Sequence, residues 1–125
     1  MKKILLSIKP SFANKILNGT KTVEYRKRIP KDPHVKNVLI YSSYPIKKIV
    51  AEFVIGGYIN DTPDRLWDRT AEIGGISKDY YMKYFNGKSI AYAYQINNLH
   101  VFAQPKSLSD YCIEFAPQDY CYVEE

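Results

Sequence analysis

A chain of 125 residues, 46% of them hydrophobic, fits one domain with one core and needs no metal or disulfide framework to build it. No run approaches the roughly 20 apolar residues that span a bilayer. The net charge of +5 is unevenly spread: residues 1–50 hold 12 of the 18 Lys and Arg but only Glu24 and Asp32 among the acids, while residues 51–125 hold 6 basic and 11 acidic side chains. Such polarity gives a domain one basic side, whose commonest partner is nucleic acid; the alternative is a solvated, soluble surface.

The first nine residues carry an apolar run, but Ser7 interrupts it, Lys9 ends it and no small-residue cleavage site follows. They read as a first strand over Lys3–Lys9, and the protein as cytoplasmic. Pro10-Ser11 opens a short helix in which Phe12 pairs with Ile16 and Ala13 with Leu17 at i,i+4 spacing. Asn18-Gly19 stops it. The next strand alternates, with Val23 and Tyr25 toward the core and Thr22, Glu24 and Arg26 on the opposite face. Lys21 stands at its mouth and the basic cluster Arg26-Lys27-Arg28 closes it.

After a loop built on Pro30 and Pro33, strands are predicted at Asn37–Ser42 and Lys48–Gly56. The second is apolar enough for a central position, and Glu52 within it needs an exposed face or a partner. Thr62-Pro63-Asp64 caps a helix carrying Leu66, Trp67 and Thr70. Gly74-Gly75 breaks the helical stretch, and Ser77 caps another helix carrying Tyr80, Tyr81, Tyr84 and Phe85. A strand over Ser89–Asn97, a Pro-containing coil over Gln104–Pro117 with room for a helical turn near Leu108–Cys112, and a closing strand over Tyr120–Val123 complete the chain. Strands and helices that do not strictly alternate favour an α+β class with a mostly antiparallel, barrel-like sheet and short flanking helices, in a single domain over residues 1–125.

Cys112 and Cys121 form no metal-ligand pattern and read as free thiols; Glu24, Glu52 and His34, the metal-competent residues near the basic half, match no ligand spacing. No metal or cofactor is therefore expected.

The motif Gly19-x-Lys21-x-x-Glu24-x-Arg26 resembles the signature of the ASCH (activating signal cointegrator homology) domains, which share a PUA-like β-barrel. Flanking segments resemble the small prokaryotic and phage members: Ile4-Leu5-Leu6-Ser7-Ile8-Lys9-Pro10, Ala51-Glu52-Phe53, Tyr84-Phe85-Asn86-Gly87-Lys88 and Pro105-Lys106-Ser107-Leu108. The resemblance implies a cleft between the barrel and the first helix, lined by the signature, that serves RNA or a nucleotide-like ligand.

A binding role needs cations for phosphate and planar groups for bases. Lys9, Lys21, Arg26, Lys27 and Arg28 supply the first; Tyr25, Tyr41, Tyr44 and Trp67 are candidates for the second, and Thr22 and Glu24 for hydrogen bonds. A hydrolytic role would use Lys21 and Glu24 as base and electrostatic partner with Thr22 as a hydroxyl. Family members similar to acetylcytidine amidohydrolases use a lysine, which falls on Lys21, but their threonine falls on Glu24 here. Other members have been taken for ribonucleases. Two further readings stay open: a protein-interaction module in a transcriptional or phage complex, and a plain ion-pair network in which Lys21, Glu24 and Arg26 pin helix to strand.

Overall fold

The computed structural model describes all 125 residues. In chain order the elements are β1 (Lys2–Ile8), α1 (Pro10–Leu17), β2 (Val23–Arg26), β3 (Asn37–Ser42), β4 (Lys48–Asp61), α2 (Pro63–Thr70), α3 (Lys78–Tyr84), β5 (Ala91–Lys106) and β6 (Tyr120–Glu124), with a 3₁₀ turn at Leu108–Tyr111 before β6. No helix is long and apolar enough to cross a membrane. The strands form one six-stranded sheet in the order β2-β5-β4-β3-β1-β6. Only β1 and β3 run parallel; the other four pairings are antiparallel, as the pattern predicts.

The sheet curls until its two edge strands meet without hydrogen-bonding to each other. Arg26, at the end of β2, reaches the Ser7 carbonyl on β1 at 2.8 Å and the Asp119 carboxylate just before β6 at 3.3 Å. The barrel is thus open in its backbone, and side chains span the seam.

Inside the curl lies the larger core: Ile4, Leu6, Ile8, Val38, Ile40, Ala51, Phe53, Ile55 and Tyr94, with Ala13 and Ile16 of α1 closing one end. Alternation puts these residues on one face of their strands. A second core gathers Val23 and Tyr25 of β2, Ala91 and Ala93 of β5, Leu66 of α2, and Tyr81 and Phe85. This core anchors α2 and α3 beside β2. Thr62 and Ser77 cap the two helices as read from sequence, accepting hydrogen bonds from the backbone N–H groups of Arg65 and Tyr80. Glu52 finds its partner in Lys3, 2.6 Å away.

Two strands outrun their expected ends. β4 continues past Gly56 to Asp61, and β5 past Asn97 to Lys106. The polar and glycine residues that suggested termini lie at register shifts of the β4–β5 ribbon, between Ile55 and Tyr58 and between Glu52 and Val54. A bulge absorbs an extra residue and bends the ribbon without ending it.

Candidate nucleic-acid interface

β2 is four residues long and all four are buried, so its two faces serve different purposes. Val23 and Tyr25 enter the second core; Glu24 and Arg26 point the other way, into a cleft of about 380 Å³ between β2, α1, α3 and the segment before β6. The size suits one nucleotide unit.

The floor of the cleft is a chain of charges. Lys21 is only 2% exposed. Its Nζ donates to the Gly74 carbonyl at 2.6 Å and lies 3.3 Å from Glu24 Oε1. It also sits 5.1 Å from the centre of the Tyr25 ring and 5.9 Å from that of Phe12. Glu24 Oε2 accepts from Arg26 Nε at 3.1 Å and Nη2 at 2.9 Å. Arg26 passes the chain on to Asp119, whose second oxygen meets Arg28 Nε at 3.2 Å. No buried side-chain nitrogen or oxygen lacks a partner.

Burial pushes the Lys21 ammonium below its ordinary proton affinity, with Glu24 opposing and Arg26 assisting. For Arg26, burial also works against the charge, but Glu24 and Asp119 outweigh it and hold the guanidinium above its usual value. Burial pushes the Tyr84 hydroxyl up to about 12, against the lowering influence of Arg26.

The walls are aromatic and the rim is cationic. Phe12 meets Tyr80 edge-on with centroids 5.1 Å apart. Lys9 Nζ rests 5.0 Å over the Tyr80 ring and Lys27 Nζ 4.6 Å over that of Tyr84. Lys9, Lys27 and Arg28 are exposed at the mouth, where Gln118 joins them.

Of the predicted site residues, Lys9, Lys21, Glu24, Tyr25, Arg26, Lys27 and Arg28 come together here. Three do not. Thr22 is exposed outside the cleft; its backbone N–H bonds the Ile73 carbonyl at 2.9 Å, and no hydroxyl from this position serves the cleft. Tyr44 is 79% exposed on the β3–β4 turn, beyond the cleft wall. Trp67 packs on Tyr81 at 4.9 Å in the second core. Tyr41, also named as a stacking candidate, is buried in a third cluster with Leu5, Leu39 and Ile49. Tyr25 keeps its place in the wall, but its hydroxyl bonds Thr70 Oγ1 at 2.6 Å and its ring already faces Lys21.

Sequence reading missed Ser7, Phe12, Tyr80, Tyr84 and Asp119. A signal existed for the tyrosines: Tyr81 and Phe85 share one helical stripe at i,i+4, and Tyr80 and Tyr84, one residue earlier, share the next. Asp119 carried none, lying 93 residues from Arg26. No group of three or more His, Cys, Asp or Glu side chains gathers to hold a metal ion.

A curled, mainly antiparallel sheet with helices at its flank and a charged cleft beside β2 defines an α+β protein of the PUA-like class. The chain belongs to the ASCH domain family, whose profile matches residues 6–101. It is 30% identical over 97 residues to an ASCH domain-containing ribonuclease of Zymomonas mobilis, a match that takes in 78% of this chain and 66% of that one. The crystal structure of ASCH from Zymomonas mobilis superposes with a TM-score of 0.88 at 26% identity, covering 98% of this chain and 88% of the other. Of this chain, 97% is also similar, at 29% identity, to 39% of the large ribosomal subunit protein uL22 of Ureaplasma parvum. The chain thus spans less than two thirds of the length of the curated relatives it matches.

Proposed function

We propose that the protein is a single-domain RNA-binding protein of the cytoplasm whose cleft takes one nucleotide of a single-stranded segment. The observation that carries this reading is the division of labour in the cleft: a buried floor of paired charges beneath aromatic walls and a rim of exposed cations. Lys9, Lys27 and Arg28 are long and exposed, and suit backbone phosphates. When Lys9 and Lys27 swing to phosphate they uncover the faces of Tyr80 and Tyr84 for a base. Lys21, Glu24 and Arg26 then offer fixed donors and acceptors to the edge of the base or to the ribose.

A second reading, RNA cleavage in the same cleft, is favoured by the lowered proton affinity of Lys21 and by the similarity to an enzyme named as a ribonuclease. A lysine that gives up its proton more readily can act as a base toward a ribose hydroxyl, with Arg26 stabilising charge on the phosphate. Glu24, paired on both oxygens, holds the two cations in place.

The test is a fluorescence-polarisation titration of labelled single-stranded RNA at physiological salt, comparing wild type with Lys21→Met and Glu24→Gln, with endpoint RNA examined by mass spectrometry. Binding that weakens in both variants while the RNA stays intact supports the binding reading. Cleavage products in wild type that disappear in Lys21→Met make the protein a ribonuclease. Equally poor binding by all three, with intact RNA, ends both readings.

A further inference from the structure

Asp119 already occupies the inner cationic end of the cleft. One carboxylate oxygen lies 3.3 Å from Arg26 Nη1 and the other 3.2 Å from Arg28 Nε. Two guanidiniums gripping one oxyanion is the arrangement by which arginine recognises carboxylate and phosphate alike. The two arginines differ in freedom. Arg26 is 7% exposed and fixed by Glu24 and by the Ser7 carbonyl, so it cannot follow a departing partner. The Arg28 side chain is 75% exposed and can re-form its contacts around a new anion.

From Ile113 to Asp119 the chain has no regular secondary structure, and Ser7 Oγ donates to its Pro117 carbonyl at 2.7 Å. The Asp119 side chain is one third exposed, so water reaches it in place. The site holds three cations, Lys21, Arg26 and Arg28, against two anions, Glu24 and Asp119. With Asp119 seated, the one uncompensated positive charge belongs to the exposed Arg28, and the buried pair Lys21 and Arg26 is matched by Glu24 and Asp119. With Asp119 gone, Arg26 loses its outer partner, and a single phosphodiester takes its place.

We propose that Arg26 and Arg28 form a phosphate-oxygen site, and that Asp119 is its built-in occupant, displaced when a phosphodiester or phosphomonoester enters. The identity of the ligand as RNA rests on the function proposed above; the anion site itself does not. Displacement makes the cleft selective. Free phosphate gains only the two arginine contacts that Asp119 already makes, whereas a nucleotide adds the rim lysines and the aromatic walls.

The test uses Asp119→Asn, which removes the charge but keeps the shape and one acceptor for Arg26, together with Arg28→Ala at an exposed position. Three probes are titrated at physiological salt: a labelled single-stranded RNA hexamer, adenosine and inorganic phosphate, the last read as a rise in melting temperature. The expected result is RNA binding about three- to tenfold tighter in Asp119→Asn, since a partly exposed ion pair no longer competes. Affinity for adenosine stays unchanged, phosphate raises the melting temperature of Asp119→Asn more than that of wild type, and Arg28→Ala removes both gains. Unchanged or weaker RNA binding in Asp119→Asn, with phosphate stabilising the two proteins equally, overturns the proposal. A lower melting temperature for Asp119→Asn without phosphate does not blur the result, because the phosphate increment is read against each protein's own baseline. If no protein binds RNA but phosphate stabilises Asp119→Asn selectively, the anion site stands and the RNA reading falls.

Discussion

Lys21 shows how one side chain can be structural and chemical at once. Its stem fills space beneath Gly75 and its ammonium satisfies the Gly74 carbonyl and Glu24, yet burial disfavours the charge it carries. A lysine whose folded-state proton affinity is lowered is a linkage problem with a definite sign. Between its folded value and its ordinary value of 10.5, the unfolded chain holds a proton that the folded chain has released, so this group makes stability rise with pH. The buried tyrosines act oppositely: Tyr84, pushed up to about 12, loses its share of stability as pH climbs from about 10 toward that value. Comparing wild type with Lys21→Met cancels the tyrosines. The variant leaves Glu24 still paired with Arg26, so no carboxylate is orphaned. Measured by urea unfolding at a series of pH values, the stability of Lys21→Met relative to wild type should be greatest at neutral pH and decline steadily toward pH 10.5. A difference that is flat with pH would show that Lys21 keeps an ordinary proton affinity, and would remove the physical basis for using it as a base.

At the scale of elements, the sequence spoke through punctuation and periodicity, and both were legible where they acted locally. Pro10, Asn18-Gly19, Thr62-Pro63 and Ser77 sit at the helix ends they announce. Gly56 and Asn97, read by the same logic as strand ends, lie instead within the continuing β4–β5 ribbon, because pairing along a long ribbon overrides a local weak point. Gly74-Gly75 reads as a helix breaker and lies in the connection between α2 and α3, beyond the last helical residue Thr70, but its larger role is proximity. Gly75 adopts a φ of +68°, and a Cβ there would come within 2.8 Å of Lys21 Cβ; a Cβ on Gly74 would run into the Tyr25 hydroxyl. The pair lets the α2–α3 connection lie flat over the cleft floor. Gly74→Ala should therefore push Tyr25 off its hydrogen bond to Thr70, at a cost of about 1–3 kcal/mol for overpacking a close contact. Thermal unfolding checks the cost, and a melting temperature equal to wild type would mean that the Tyr25 ring shifts freely and that this contact does not position β2.

For the whole molecule, what stayed hidden was the seam. Nothing in the pattern of residues says that β2 and β6, at opposite edges of the sheet, come together, because their meeting is fixed by the accumulated curl of six strands. The four-residue motif around Lys21 was visible; the partner that completes it, Asp119, comes from beyond the family match at residues 6–101. The charge asymmetry, by contrast, was legible from composition and has a geometric outcome. All five cations of the cleft come from the first 28 residues, but two of them, Lys21 and Arg26, are buried and paired, which leaves Lys9, Lys27 and Arg28 at the rim. This separates a localised site from a diffuse basic field. Three rim cations that replace counterions on single-stranded RNA give a slope of about −2 in log affinity against log salt, whereas engagement of the whole basic half would give a far steeper one. Lys27→Ala should bring the slope to about −1.4 and weaken binding to all sequences alike, since it removes a phosphate contact and no base contact. The measurement is a salt series of polarisation titrations on wild type and the variant. A wild-type slope of −5 or steeper, unchanged by Lys27→Ala, would place RNA on the basic surface at large and not in the cleft.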